Sequence, residues 1–213
     1  MVLTAERFFD GERQSGVLLR DERPGELTTF ISFGVGGDDI YWAEQVTKIG
    51  SGPTDWTTFR FTERLSGVVT LGVRSADGID VGGVRLERDA VPSYGVYRVL
   101  RDLARRGAER ARYRQIDEHG EPVVRDVEVA LRGEENIEPP SGGVLRAARY
   151  DLLIDGAPYT RFWLDGERVV VSDWTSGAMS VLVDDVETAF KGCPAPVAAG
   201  ARAWLAEREG GAR

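Results

Sequence analysis

The sequence has one cysteine, Cys193, one histidine, His119, and only two lysines, Lys48 and Lys191. A lone cysteine forbids an intramolecular disulfide. Cys193 precedes a proline near a helix start and shows no catalytic partner, which marks it as an ordinary thiol. A single histidine excludes multi-histidine metal sites and disfavours a Ser-His-Asp triad or a Cys-His pair. His119 sits in DEHGEP, a turn, where a solvated side chain is expected. No apolar run reaches the roughly 18 residues of a membrane-spanning helix. The N-terminal stretch MVLTAERFFDGERQ carries early acids and no apolar segment of signal-peptide length. A soluble, cytoplasmic chain is the expectation, or a periplasmic or extracellular one if a signal peptide has been removed.

Phosphate-binding motifs are missing too. There is no G-x-x-x-x-G-K-[ST], and FGVGGDD lacks the G-x-G-x-x-G spacing and runs into a strand. The acidic stretches DGERQSG and DEHGEPVV lack the ligand spacing of a calcium loop. No cofactor and no metal site is expected. The net charge of −8 opposes binding to nucleic acid or to anionic lipid surfaces. The densest basic stretch, RVLRDLARRGAERARYR, is interrupted by acids and reads as a solvated helix face.

What is present is alternation. At 213 residues, 42% hydrophobic and 29% charged, the chain can bury a sizeable core. ELTTFISFG at 26–34 places aromatic and β-branched residues on both faces, as in a strand buried on two sides. Residues 38–48, 55–63, 68–74, 79–88, 109–116, 123–131, 144–154, 159–164, 168–173 and 178–183 continue the β texture. GVGGDD reads as a hairpin connection, and Gly82-Gly83 as a bulge or close backbone approach. Asp-Gly recurs four times, at 10, 77, 155 and 165, each time between β-type runs. Such spacing leaves no room for βαβ crossovers. PSYGVYRVLRDLARRG breaks the pattern: Val96, Leu100 and Leu103 recur at helical spacing, and Gly107 is the stop. A second, short helix is expected from Pro194 to Gly210, with a fraying tail. The fold expected is mainly β: an antiparallel β-sandwich or a partly open, curved barrel of about ten to twelve strands. One amphipathic helix packs on the sheet. The β-rich domain is read as 1–192, followed by the C-terminal helix and tail at 193–213.

Two chemical readings compete for the remaining residues. Glu134, Glu135 and Glu138 are close in sequence, as are Asp184, Asp185 and Glu187. Acid catalysis needs two carboxyls at a set separation, and alternation puts Glu134 and Glu135 on opposite faces. They read as strand-edge residues, with Gly133 bulging the strand and Pro139 to Gly143 making the turn. The aromatics point elsewhere. Inward-facing rings of a curved sheet line an apolar cavity or fill a solid core. Trp42, Trp56, Tyr97, Trp163 and Trp174 are the candidate ligand-binding residues; no catalytic residue is assigned.

The stretch from 92 to 183 carries a resemblance. Helix, strand pair, Gly133-x-Glu135-x-Ile137-x-x-Pro140-x-Gly142, a strand with alanine and arginine, then Trp163 in RFWLDGERVVVSD resemble an uncharacterised family of bacterial β-sheet proteins. That family looks like a relative of the bacterial lipoprotein carriers, whose curved sheet holds a helix across its open side. The resemblance implies a non-enzymatic protein that binds a lipid or another apolar small molecule between sheet and helix. Many members carry a secretion signal that is not visible here. Two alternatives remain: a cofactor-independent barrel enzyme of cyclase or isomerase type, with Asp151 or Asp173 as acid, and a structural or protein-interaction module. A monomer or a homodimer fits all three.

Overall fold

A computed structural model describes residues 2–36, 39–86, 89–119, 121–174 and 177–210. The tip of the GVGGDD hairpin, the end of the 79–88 run, Gly120 of DEHGEP and the last three tail residues lie outside the described residues. Among the described residues fifteen strands form one sheet. In chain order they are β1 (Val2–Asp10), β2 (Arg13–Arg23), β3 (Glu26–Gly36), β4 (Asp39–Ile49), β5 (Trp56–Glu63), β6 (Val69–Ser75), β7 (Gly78–Val81), β8 (Val84–Leu86) and β9 (Val91–Pro92). After the first helix come β10 (Arg110–Asp117), β11 (Val123–Ile137), β12 (Leu145–Ile154), β13 (Ala157–Asp165), β14 (Arg168–Asp173) and β15 (Ala178–Val183). Among the described residues three α-helices accompany them: α1 (Val96–Arg106), α2 (Val186–Phe190) and α3 (Ala195–Gly210).

The order across the sheet is β8-β7-β6-β5-β4-β3-β2-β1-β15-β14-β13-β12-β11-β10-β9. Every neighbouring pair is antiparallel except β9 with β10. β1 joins the two halves by pairing with both β2 and β15. The two edges, β8 and β9, are consecutive in the chain, so the sheet curls until its edges approach. Ala90 and Ile116 share one apolar cluster with Phe59, Phe61, Ile79 and Val81. Thr70 Oγ1 of β6 donates to the Glu118 carbonyl beyond β10, at 3.2 Å. One curled sheet decides for the partly open barrel over the sandwich. The extra strands are the pair flanking Asp10-Gly11 and two very short edge strands. Gly82-Gly83 is the turn between β7 and β8, both residues having positive φ, and not a bulge inside one strand.

Two faces of this sheet are apolar, for different reasons. On the concave face α1 packs Val96, Val99, Leu100 and Leu103 against Val127, Val129, Tyr150, Leu152, Phe162 and Leu164. Each such side chain contributes roughly 1.5–3 kcal/mol by leaving water. A 3-10 turn at Ser93–Gly95 leads into the helix. Gly107 ends it with φ 61°, a left-handed cap that returns Ala108 N to the Leu103 carbonyl at 2.9 Å. On the convex face α2 and α3 cover β1 to β4. Val197, Ala198, Ala201 and Trp204, one helical stripe, meet Val17, Leu19 and Phe30. Phe30 and Ile31 are consecutive and both buried, so β3 is indeed covered on two sides.

Gly133 carries φ 114°, and the register with β12 shifts between Leu131 and Gly133. This is the bulge expected there. It places Glu134 opposite Ala148, and Glu135 opposite Ala147.

Candidate functional site

Glycines shape the concave face as much as aromatics do. Phe8 on β1 and Phe33 on β3 are both in register with Gly16 on the strand between them. A Cβ at Gly16 would stand 2.5 Å from the Phe33 Cβ. With no side chain in the way, Phe8 and Phe33 stack at 4.8 Å across β2. Tyr41, in register with Phe33, extends the stack at a further 4.8 Å.

This aromatic ladder forms one wall of a cavity of about 540 Å³. The opposite wall comes from Leu152, Ile154, Phe162 and Trp174, and the start of α1 supplies Tyr94 and Val96. Phe162 and Trp174 meet edge to face at 6.0 Å. Ser93, Gln115, Asp117, His119, Arg125, Tyr159 and Thr160 are polar residues of its lining, of which Gln115 and Thr160 are buried. Its volume and the apolar aromatic walls match a small-molecule site.

The five sequence-derived candidates divide. Trp174 lines the cavity, and Tyr97 stands behind it with the two rings 6.4 Å apart. Trp56 belongs to the interior cluster farther along, where its Nε1 donates to the Ala90 carbonyl at 2.8 Å and ties β5 to the residue that precedes β9. Trp42 lies on the convex face, edge-on to Phe30 beneath α3. Trp163 is also convex, and its Nε1 donates to Glu135 Oε1 at 2.8 Å. The acids considered for catalysis are convex as well. Asp151 accepts from Arg132 and Arg149 at 2.9 and 2.8 Å. Burial raises its pKa, but these two guanidiniums outweigh that and hold the carboxyl below its usual range. Asp173 pairs with Arg161 at 3.5 Å.

Two of the buried acids that escaped the sequence reading lie beside the cavity's walls. Glu118, within DEHGEP, is fully buried. Ser93 Oγ donates to its Oε1 at 2.6 Å, and Gln45 Nε2 donates to the same oxygen. Burial pushes its carboxyl above the ordinary range, against the pull of Ser93 and of the neighbouring His119. His119 itself is exposed, as expected of a turn, but its ring packs against Phe61 at 4.6 Å. The other acid is Glu6 on β1. It accepts from Arg20 and from Ser180 Oγ, and Ser180 in turn accepts from Trp174 Nε1 at 3.0 Å. The Arg20 guanidinium carbon lies over the Tyr97 ring, 3.2 Å from its centre. Nothing in a strand pattern such as VLTAERFFD distinguishes an inward Glu6 from a solvated one.

A second, smaller cavity of about 310 Å³ lies on the other side of Tyr97. Glu6, Arg20, Arg98, Arg101, Leu182 and Val169 are among its walls. Among the described residues no helix is long and apolar enough to cross a membrane, and no cluster of potential metal ligands occurs.

No family model matches the sequence, and no curated protein matches it. One solved structure resembles the fold: a β-barrel-like protein of the domain of unknown function DUF1849 from Brucella abortus. The match has a TM-score of 0.50 and 13% identity, and it covers 85% of this chain and 95% of that one. At that identity the likeness is one of fold. It agrees with a β-sheet protein of an uncharacterised kind.

Proposed function

We propose that this chain is a non-enzymatic binding protein that holds a lipid or another apolar small molecule in the 540 Å³ cavity. The observation that carries the reading is the Phe8, Phe33 and Tyr41 ladder facing Phe162 and Trp174 across open space. A protein that needed only a core would gain by filling that space, since an unfilled apolar cavity costs stability. Polar groups at Asp117, His119, Arg125 and Tyr159 give an entering ligand a polar end to meet. The test is solvent extraction of the purified chain followed by mass spectrometry, with titration of the emptied protein by the uncharged probe N-phenyl-1-naphthylamine. A stoichiometric apolar extract or saturable probe binding supports the reading. An empty extract together with no probe binding overturns it.

Cofactor-independent acid catalysis is the second reading, and Glu118 is the buried acid whose hydrogen-bond partner Ser93 lines the cavity. The carboxylate is held by Ser93 and Gln45, and Ser93 stands on the lining in its place. That arrangement favours binding over catalysis.

A further inference from the structure

We propose that the ligand of the 540 Å³ cavity is an uncharged apolar molecule carrying a carbonyl or hydroxyl oxygen, and that Gln115 and Thr160 recognise that oxygen. The inference rests on the binding reading above and extends it to the chemistry of the ligand. Both residues line the cavity, and they are only 8% and 4% exposed. Thr160 is in register with Leu152 and two residues from Phe162, both of which face α1, so alternation turns its side chain inward. Gln115 is in register with Arg125, another residue of the lining. The Tyr113 hydroxyl donates to Gln115 Oε1 at 3.5 Å, but the amide nitrogen Nε2 has no partner among the described residues. Thr160 Oγ1 has none either. Neither atom is among the partnerless polar atoms sealed from water, which belong to Ser15, Arg20, Asp21 and Thr29. Each therefore keeps surface that a small molecule can reach, and for side chains this buried that surface is the cavity's own. An unpaired donor in an apolar wall is costly until an acceptor meets it.

The charged groups nearby do not take this role. Asp117 and His119 pair at 3.3 Å, and Arg125 and Asp155 at 3.6 Å; all four side chains are about half exposed, which puts them at the rim. The Glu118 carboxyl is held by Ser93 and Gln45. Tyr41 and Tyr94 add two lining hydroxyls with no hydrogen-bond partner among the described residues. Burial raises both above the ordinary tyrosine range, so they stay neutral. Among the described lining residues the free hydrogen-bonding groups of the interior are thus uncharged. An anion or a cation entering it would lose its hydration without meeting an opposite charge. Gln115 on β10 and Thr160 on β13 are three strands apart in the sheet, so a ligand with one oxygen meets one of them and a ligand with two can meet both.

The experiment is equilibrium dialysis of the full chain against naphthalene, 2-acetylnaphthalene and 2-naphthoate, which share a ring system and differ in the polar group. The ketone binds about fivefold more tightly than naphthalene, the effect of one neutral hydrogen bond. The carboxylate binds at least about tenfold more weakly than the ketone. Gln115→Leu combined with Thr160→Val removes both polar groups at nearly constant volume, and it brings ketone and naphthalene to within about twofold of each other. Should that variant fail to fold, the wild-type series decides alone. Ile154→Trp, which takes up cavity space, weakens the ketone. Equal affinity for ketone and naphthalene overturns this inference and leaves the binding reading standing, whereas no binding of any of the three overturns both. A carboxylate that binds as tightly as the ketone, a ketone preference that survives the double substitution, or a ketone affinity unchanged in Ile154→Trp would each overturn the inference as well.

Discussion

Replacing Leu100 by alanine tests whether α1 is the interior of this barrel or a helix resting loosely on it. Leu100 is 0% exposed and sits among Val96, Leu103, Val129, Phe162 and Leu164. Removing a fully buried leucine costs the transfer of its lost carbons plus the cavity left behind, about 2–5 kcal/mol. The lower half of that range applies, because open space beside α1 lets neighbours relax; we expect about 3 kcal/mol. For a chain of this size each kcal/mol moves the melting temperature by roughly 2–4 °C, so Tm falls by about 6–12 °C. Calorimetry or thermal unfolding by circular dichroism reads it. Arg101→Ala on the other side of the helix is the control. Its pair with Glu22 is half-exposed, worth at most about 1 kcal/mol, and Tm should move by no more than about 4 °C. A loss below about 1 kcal/mol in Leu100→Ala would refute the packing argument.

Two further outcomes follow from buried titratable groups. Burial raises the Glu118 pKa above the ordinary glutamate value of 4.5, so the folded chain holds this proton where the unfolded chain releases it. Its contribution to stability is therefore present below about pH 4.5 and declines as pH rises toward the folded value; Glu118→Gln flattens that decline in unfolding curves measured from pH 4 to 9. Burial also pushes the Cys193 thiol up to about 11, which leaves about a hundredfold less thiolate at pH 8 than in a free cysteine and slows alkylation accordingly, read by mass spectrometry of iodoacetamide-treated protein.

Much of the fold can be read from the strand pattern, because alternation and turn chemistry are local. The Asp-Gly pairs mark hairpins at all four places, but not their frame. Only at Asp155-Gly156 do the two residues form the loop itself, with φ 51° and 82°. At Asp77-Gly78 the glycine is already the first residue of β7, and at Asp165-Gly166 the aspartate is the last of β13. The helix end at Gly107 is local too. The joining of the sheet's two halves is not, since it depends on β1 meeting β15 across more than 160 residues. The site suffers from a related ambiguity. Alternation separates Trp42 from Ala43, and Phe162 from Trp163, but does not say which face is concave. That is set by where α1, α2 and α3 dock. With helices covering the convex face as well, bulky rings such as Trp42 are buried there and imitate cavity residues. The pairing of Phe8 with Phe33 over Gly16 has a signal in retrospect: a glycine in a strand interior flanked on both neighbours by aromatics in register.

The account turns on whether an apolar ligand occupies the concave face. Titration with N-phenyl-1-naphthylamine of the wild type, Ile154→Trp and Trp163→Phe tests this most directly. Ile154 lines the cavity and is partly exposed near the end of β12, so a larger ring there occupies ligand space without overpacking the core. Trp163 is buried on the convex face. The account predicts saturable binding to the wild type, weakened at least about tenfold, or 1.4 kcal/mol, in Ile154→Trp and unchanged in Trp163→Phe. Equal affinity in wild type and Ile154→Trp, or loss confined to Trp163→Phe, would contradict it.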